Sequence, residues 1–142
     1  MTRDAITAFF DTRQTQWTAR DVAALADGHA PDSTVDSPMF GRLQGRSAIR
    51  DSYESLFLTF PDWDLKIDDL IIDGHRAVQT FSATATHVGE FMGLPGTNRR
   101  FQIHGVRVFE MADGLIQREK RLYDFTGLLV QVGVLRARPA KL

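Results

Sequence analysis

The sequence predicts an α+β domain: a cone-shaped barrel in which a curved, mixed and mainly antiparallel sheet wraps around N-terminal helices and encloses one internal pocket. Apolar residues recur at helical spacing over the first 60 residues and again after residue 124. From residue 62 onward the apolar spacing changes to two, which is typical of half-buried strands. Two Asp-Gly pairs, Asp73-Gly74 and Asp113-Gly114, divide this second part as hairpin turns do. Helices followed by a run of antiparallel strands indicate the α+β class.

Three helices are predicted before Pro61. The first begins after a capping side chain, Thr2, and residues 21–26 form a short second helix. Ser47 is predicted to cap the third, which Pro61 ends. The apolar positions of the first and third helices are Ile6, Phe9, Phe10 and Trp17, and Ile49, Tyr53, Phe57 and Phe60.

The remaining elements follow from turn residues and alternation. Residues 28–45 are rich in Pro, Gly, Asp and Ser, and they predict loops around a short strand at residues 34–36. A glycine-rich loop at 89–99 separates the later strands, and Asp124 is predicted to cap a last short helix. The later strands are predicted at residues 65–72, 77–88, 100–111 and 115–123.

Length and composition favour one soluble domain over residues 1–142, with its core at about 3–135 and a basic tail at 136–142. The formal net charge is −1, so we expect neither a nucleic-acid partner nor a membrane partner. There is no cysteine and no pair of histidines at ligand spacing, so we expect no metal and no cofactor. Nothing near residue 1 resembles a signal peptide, and the expected location is the cytoplasm.

The last predicted strand carries charges on both faces. Glu119 and Arg121 share one face, roughly 6.5–7 Å apart along the strand. If that face is internal, Arg107 of the neighbouring strand joins them in a catalytic cluster. Two guanidinium groups there would stabilise an enolate, alkoxide or carboxylate and keep Glu119 ionised as a base. The alternative is a ladder of salt bridges on a solvated or dimer-facing surface.

Several motifs resemble the SnoaL-like polyketide cyclases. They are HVGEFMGLP at residues 87–95, followed by Arg99-Arg100-Phe101, and YDFTGLL at residues 123–129. The helix start at 45–50 and the turn at 113–116 are shared more widely, across the nuclear transport factor 2-like (cystatin-like) superfamily. That superfamily includes ketosteroid isomerases and limonene epoxide hydrolases. The resemblance covers about residues 3–135.

The resemblance implies a cone fold, a homodimer and a largely apolar pocket. The cyclases close a polyketide ester by an intramolecular aldol reaction without a cofactor. Their catalytic carboxylate falls at the position of Arg121, and their companion histidine at the position of Arg107. Arginine stays protonated and cannot exchange a proton as those residues do. The family's mechanism therefore does not transfer unchanged to this chain.

Two main functions remain open. The first is a cofactor-independent cyclase, isomerase, lyase or hydrolase acting on a small apolar polyketide-like or terpenoid-like molecule, with Glu119 as its base. The second is a non-catalytic binding protein whose arginines hold the carboxylate of a small-molecule ligand. A third, weaker alternative is a dimerisation module with a filled core.

Eight further residues are predicted to line the pocket. Some have an alternative interpretation: four aromatic residues (Trp17, Tyr53, Phe57 and Phe81) are also typical core residues, and Asp36 suits a turn before Pro38. His87 ends a strand beside the glycine-rich loop and is predicted at the pocket mouth. His75 and His104 are expected at the surface. The predicted lining residues are Trp17, Asp36, Tyr53, Phe57, Phe81, His87, Phe109 and Tyr123.

A homodimer is predicted through the outer face of the sheet. β-Branched residues suit a flat pairing surface. Those on the strand faces opposite the proposed pocket are Thr80, Thr84, Val106 and Val108.

Overall fold

A computed structural model describes residues 1–141, which form four helices and six strands. In chain order these are α1 (Arg3–Ala19), α2 (Val22–Asp27), β1 (His29–Ser37), β2 (Gly41–Gln44), α3 (Arg46–Thr59), β3 (Asp64–Asp73), β4 (Arg76–Thr86), β5 (Arg100–Ala112), β6 (Leu115–Tyr123) and α4 (Phe125–Gln131).

The six strands form one mixed sheet in the order β2-β1-β6-β5-β4-β3. All neighbouring strands are antiparallel except β1 and β6, which run parallel. The predicted α+β class and curved mixed sheet are confirmed. The sheet is not closed, however, because β2 and β3 are its two edges and do not pair with each other. The fold is thus an open cone rather than a complete barrel.

Two of the three predicted helix caps, Thr2 and Asp124, are confirmed, and Asp21, predicted as the first residue of the second helix, is a further cap. The side chains of Thr2, Asp21 and Asp124 each accept a hydrogen bond from a backbone N–H in the first turn of α1, α2 and α4. The predicted cap at Ser47 is wrong, because α3 begins at Arg46 with Gly45 as its cap. Gly45 has φ 88°, a backbone conformation that glycine adopts without strain.

The two Asp-Gly signals differ in how well they place the turns. Asp113 and Gly114 form the loop between β5 and β6, and their φ values of 54° and 76° suit a tight hairpin. The β3–β4 loop is Gly74-His75, one residue later than predicted, because Asp73 still pairs with Arg76.

The region before α3 contains more strand than the sequence indicated. β1 covers nine residues rather than three, and β2 was not predicted at all. β2 has only four residues, begins with Gly41 and is followed by Gly45, so no alternation could reveal it. It pairs with β1 so that Asp36 lies opposite Arg42.

An irregularity in β6 decides which side chains face inward. The register shifts between Glu110 and Met111, so that Met111 pairs with Ile116 and Glu110 with Arg118. The extra residue lets Ile116 point inward, fully buried, while Glu119 and Arg121 point inward farther along the strand. The inner face of β6 therefore passes from apolar to charged within five residues.

Helices α1 and α3 cover the inner face of the sheet and bury two apolar clusters. The large cluster surrounds Trp17, Tyr53, Phe81 and Phe101. The small apolar cluster consists of Ile6, Phe10, Ala77, Phe109, Met111 and Ile116. Among residues 1–141, no helix has the length and apolar character required to cross a membrane.

Candidate functional site

A narrow cleft lies between α1, α3 and the inner face of β4, β5 and β6. It encloses about 20 Å³, which is room for one water molecule. Its walls are mostly aromatic and aliphatic, with two arginines among them. The lining residues are Trp17, Met39, Phe40, Leu56, Trp63, Phe81, Ile103, Arg107, Arg121 and Tyr123.

Arg107 is the least satisfied group of the cleft. Only 4% of the residue is exposed, and among residues 1–141 its guanidinium group has no hydrogen-bond acceptor and no ion-pair partner. Its Cζ atom lies 4.7 Å from the ring centroids of both Trp17 and Phe81. Such cation–π contacts contribute about 2 kcal/mol when desolvated, whereas burying an ion removes several kcal/mol of hydration. Arg107 is therefore a buried charge that the protein alone does not balance.

Gly105 allows Phe81 to reach Arg107. A Cβ atom at position 105 would lie 2.7 Å from the Phe81 ring and 2.5 Å from the carbonyl oxygen of Leu122. Any side chain there would move the ring, so this glycine fixes one aromatic wall of the cleft.

Arg121 also lines the cleft, but it is paired. Its Nε donates to Glu119 Oε2 at 2.5 Å, and its Nη2 donates to the Tyr53 hydroxyl at 3.3 Å. Glu119 is 1% exposed and lies behind Arg121, outside the cleft wall. Its Oε1 has no hydrogen-bond partner within the described chain and lies 3.9 Å from His29 Nε2.

Two residues of this network, Arg13 and His29, were not predicted. Arg13 Nη2 donates to the Tyr53 hydroxyl at 2.6 Å and contacts His29 Nε2 at 3.0 Å, while its Nη1 donates to the Leu25 carbonyl at 3.0 Å. His29 Nε2 lies 2.8 Å from the same hydroxyl. Together these side chains form the buried polar cluster: Arg13, His29, Tyr53, Arg107, Glu119 and Arg121.

A sequence signal for Arg13 does exist. The buried residues of α1 are Ile6, Phe10, Arg13 and Trp17, which follow one another at steps of four, three and four. Arg13 thus stands in the apolar stripe of its helix, where a charge requires buried partners. His29 has no such signal, because it begins a strand in a segment whose alternation is broken.

The pKa values of the cluster keep each of its groups in one protonation state near neutral pH. Burial, together with the charge of Arg13, lowers the pKa of His29 to about 3, so the imidazole is neutral near pH 7. Burial opposes ionisation of Glu119, but the charges of Arg121 and Arg107 outweigh it and bring its pKa to about 2. Burial and the charge of Arg121 lower the pKa of Arg107 to about 10, which leaves it protonated.

Asp36 does not line the cleft, contrary to the prediction. Val35 and Ser37 are the inward residues of β1, and alternation turns Asp36 outward. There it accepts hydrogen bonds from Arg42 Nε and Nη2 at 2.7 and 3.0 Å. This pairing lowers the pKa of Asp36.

His87 also lies outside the cleft. It is fully buried, and its Nδ1 accepts a hydrogen bond from the Thr97 backbone N–H at 3.3 Å, within the loop that follows β4. The rings of Phe60 and Phe91 cover it. It is a structural residue of this loop rather than part of a pocket mouth.

The predicted aromatic residues divide into three groups. Trp17, Phe81 and Tyr123 line the cleft. Tyr53 lies behind the wall as the hydroxyl shared by the arginines, and Phe57 is a half-buried neighbour of Trp17. Phe109 does not belong to the cleft, because the first turns of α1 cover it and place it in the small apolar cluster. His75 and His104 are exposed, as predicted.

A second depression is larger but has few polar side chains that could take part in chemistry. It measures about 550 Å³, opens widely to solvent, and lies between α1, α2 and the β5–β6 turn. Asp27 is the one ionisable side chain among its described lining residues. We therefore place the candidate site in the narrow cleft. No group of three or more His, Asp or Glu side chains converges as a metal site within residues 1–141.

Comparisons with known proteins agree with this fold. A family model described as SnoaL-like polyketide cyclase matches residues 8–132. A nogalonic acid methyl ester cyclase from Streptomyces nogalater is 40% identical over 47 residues, which are 33% of this chain and 35% of that cyclase. The match thus spans about a third of that relative.

Two solved structures superpose over nearly the whole chain. TsrD from Streptomyces laurentii has a TM-score of 0.82 at 24% identity, covering 95% of this chain and 99% of TsrD. AclR from Streptomyces galilaeus has a TM-score of 0.80 at 25% identity, covering 94% and 87% of the two chains. The shared fold includes the sheet and helices that form the cleft.

Proposed function

Because the chain belongs to the SnoaL-like polyketide cyclase family, we propose that it is a cofactor-independent enzyme of polyketide-cyclase type. Its substrate is a small, mainly apolar, polyketide-like ketone that binds in the cleft. Because the cleft holds only one water molecule as it stands, Met39 and Phe40 of the β1–β2 turn must move aside to admit the substrate. Arg107 and Arg121 stabilise the enolate oxygen that forms when the substrate loses a proton. The observation that carries this proposal is the unpaired Arg107 guanidinium in an apolar wall.

The proposed chemistry replaces the proton acceptor of related cyclases by electrostatic stabilisation. A carbonyl oxygen of the substrate accepts hydrogen bonds from the guanidinium groups, and the α-carbon releases its proton to a water molecule in the cleft. The enolate carbon then bonds to a second carbonyl carbon of the same molecule, whose oxygen takes up a proton. Fixed positive charge in a site with little water favours the anionic intermediate strongly.

Glu119 has a supporting role in this proposal. It stands outside the cleft wall, so its carboxylate does not reach a substrate carbon in the cleft. Its hydrogen bond to Arg121 Nε fixes that guanidinium with its remaining N–H groups available to the cleft. This reassigns Glu119 from the base expected on sequence grounds to a positioning residue.

The proposal can be tested with an aromatic 1,3-diketone, whose enolate absorbs at longer wavelength than its neutral form. A pH titration of 1-phenyl-1,3-butanedione with excess protein should show ionisation about one to three pH units lower than in buffer. Arg107→Met should abolish this difference, whereas Arg118→Met, an exposed arginine on the outer face of β6, should preserve it. A bound diketone that ionises as it does in buffer would contradict the proposal.

A second candidate is a non-catalytic binding protein on the same fold. It is favoured by one observation: the described lining of the cleft contains no carboxylate and no imidazole. Exchange of the diketone's α-protons in D₂O separates the two candidates. An enzyme should accelerate this exchange beyond the buffer rate in a manner that depends on Arg107. A binding protein should retain the diketone and leave its exchange rate unchanged.

A further inference from the structure

We infer that the ligand of this cleft is an anion before any reaction occurs, namely an apolar or aromatic molecule with a carboxylate that binds Arg107. The inference rests on the proposed function insofar as it takes the cleft to be the ligand site. It adds the ionic class of the ligand, which the proposed enolate chemistry does not require.

The first argument is the balance of buried charge. Arg13, Arg107 and Arg121 carry three positive charges, and Glu119 carries one negative charge. His29 is neutral, so the cluster holds two positive charges without a buried counterion. Arg13 is at least satisfied by neutral acceptors, but Arg107 has no hydrogen-bond acceptor, and the nearby anion, Glu119, is already paired with Arg121. A buried charge in this condition points to a partner that arrives with the ligand.

The second argument is the one-sided chemistry of the cleft wall. Its strong polar groups are donors: the guanidinium groups of Arg107 and Arg121, and the indole N–H of Trp63, which is buried without an acceptor. The one hydroxyl in the wall belongs to Tyr123. A wall of unsatisfied donors selects a ligand rich in acceptors, and a carboxylate can accept two hydrogen bonds from one guanidinium group.

The third argument concerns why a neutral ketone is insufficient. One ketone oxygen would satisfy some donors but would leave both excess charges unbalanced. A carboxylate removes one of the two charges on binding, and an enolate formed afterwards removes the second. The charge of the cluster therefore matches a substrate that binds as a monoanion and reacts as a dianion.

The test compares two ligands of equal shape and different charge. Isothermal titration calorimetry with the full chain should show naphthalene-2-carboxylate binding roughly ten-fold or more tightly than naphthalene-2-carboxamide. Arg107→Met should remove this preference, and Arg107→Lys should keep part of it. Arg118→Met should bind like the unmodified chain, because it removes an equal charge from the outer face of β6.

Several results would overturn the inference. These are equal affinity for the two ligands, no saturable binding of either, or a preference for the carboxylate that persists in Arg107→Met. A melting curve of each variant guards against misfolding, and folded Arg107→Met should melt higher than the unmodified protein in the absence of ligand. The diketone titration is independent of these measurements. It can succeed where the carboxylate preference fails, which would leave the proposed function intact and refute the anionic ligand.

Discussion

Arg107 and Phe109 lie two residues apart on the same face of β5, and their surroundings are opposite. Phe109 is 1% exposed, and its ring centroid lies 4.7 Å from that of Phe10 inside the small apolar cluster. Arg107 is 4% exposed and has no hydrogen-bond partner within the described chain. The inner face around Phe109 is therefore a well-packed apolar core, while around Arg107 it holds a charge without a hydrogen-bond partner in an apolar wall.

This difference shows that Phe109 stabilises the folded protein whereas Arg107 destabilises it. Burying an aromatic side chain beside Phe10 stabilises the native state through apolar area and contact. Burying a guanidinium group without an acceptor destabilises it. Strained or unsatisfied groups of this kind persist where function requires them. The following predictions test whether the small apolar cluster and the buried polar cluster differ in this way.

The largest expected effect is loss of stability in acid, through the buried polar cluster. The pKa of His29 is about 3 in the folded chain against 6.5 in an exposed histidine, so the unfolded chain binds a proton first as the pH falls. Stability should therefore decrease from pH 6.5 to pH 3 by about 1.4 kcal/mol per pH unit, or about 5 kcal/mol in all. Urea unfolding at a series of pH values measures this slope.

Glu119 should extend the same loss to lower pH. Its pKa is about 2 when folded against 4.5 when exposed, so its stabilising charge is lost as the pH falls from 4.5 towards 2. His29→Gln should flatten the part of the slope between pH 6.5 and 4.5 and retain the lower part. A free energy of unfolding that stays constant between pH 6.5 and 4.5 in the unmodified chain would contradict the burial of a neutral histidine.

The second effect concerns the small apolar cluster alone. Phe109→Ala removes a ring packed against Phe10 and should lower the free energy of unfolding by about 3–5 kcal/mol. Its loss should not depend on pH and should leave the affinity of the folded protein for naphthalene-2-carboxylate within about two-fold, a change of roughly 0.4 kcal/mol. Chemical denaturation measures the loss of stability, and calorimetry measures the affinity for the ligand. A large loss of affinity would mean that Phe109 belongs to the site after all.

These two residues also mark how far the sequence could predict the site. Alternation and the family resemblance place Arg107, Glu119 and Arg121 on one inward face, where the structure has them. Alternation gives the face but not the position along it, so Phe109 was assigned to the pocket although α1 covers it. Asp36 was misassigned because the bounds of β1, and hence its alternation, were not visible before β2 was known.

The helices likewise show that features set by neighbouring residues can be predicted from the sequence, whereas contacts between distant residues cannot. The caps at Thr2 and Asp124 depend on neighbouring residues and are predicted correctly from the sequence. The contacts of Arg13 with Tyr53 and His29 join positions 40 and 16 residues apart, and no local pattern encodes them. The fold was therefore largely predictable, while the buried polar cluster emerged only when α1, α3 and β1 were packed together.

The third effect has the opposite sign. Arg107→Met replaces an unpaired buried charge by an apolar side chain of similar length, so the ligand-free protein should become more stable by about 1–3 kcal/mol. Thermal unfolding would show a rise of the melting temperature by roughly 2–10 °C for a domain of this size. Arg13→Met is the matched comparison. It should destabilise the protein, because Arg13 is bonded to Leu25, Tyr53 and His29.

The smallest effect on folding is expected outside both clusters, on the outer face of the sheet. Thr80, Thr84, Val106 and Val108 are half-buried there, and Leu122 beside Val106 is 49% exposed. We expect this face to pair two copies of the chain, because a sheet surface of apolar and β-branched residues suits a two-fold interface. Leu122→Lys should change the free energy of unfolding of the monomer by no more than about 0.5 kcal/mol, as is usual for a surface position. It should nevertheless shift sedimentation at micromolar concentration from twice the chain mass towards one chain mass.

Met92→Lys is the matched control, since Met92 is 62% exposed but lies in the loop after β4. If the unmodified chain already sediments as a monomer, or if Met92→Lys dissociates it and Leu122→Lys does not, the outer face is not the interface.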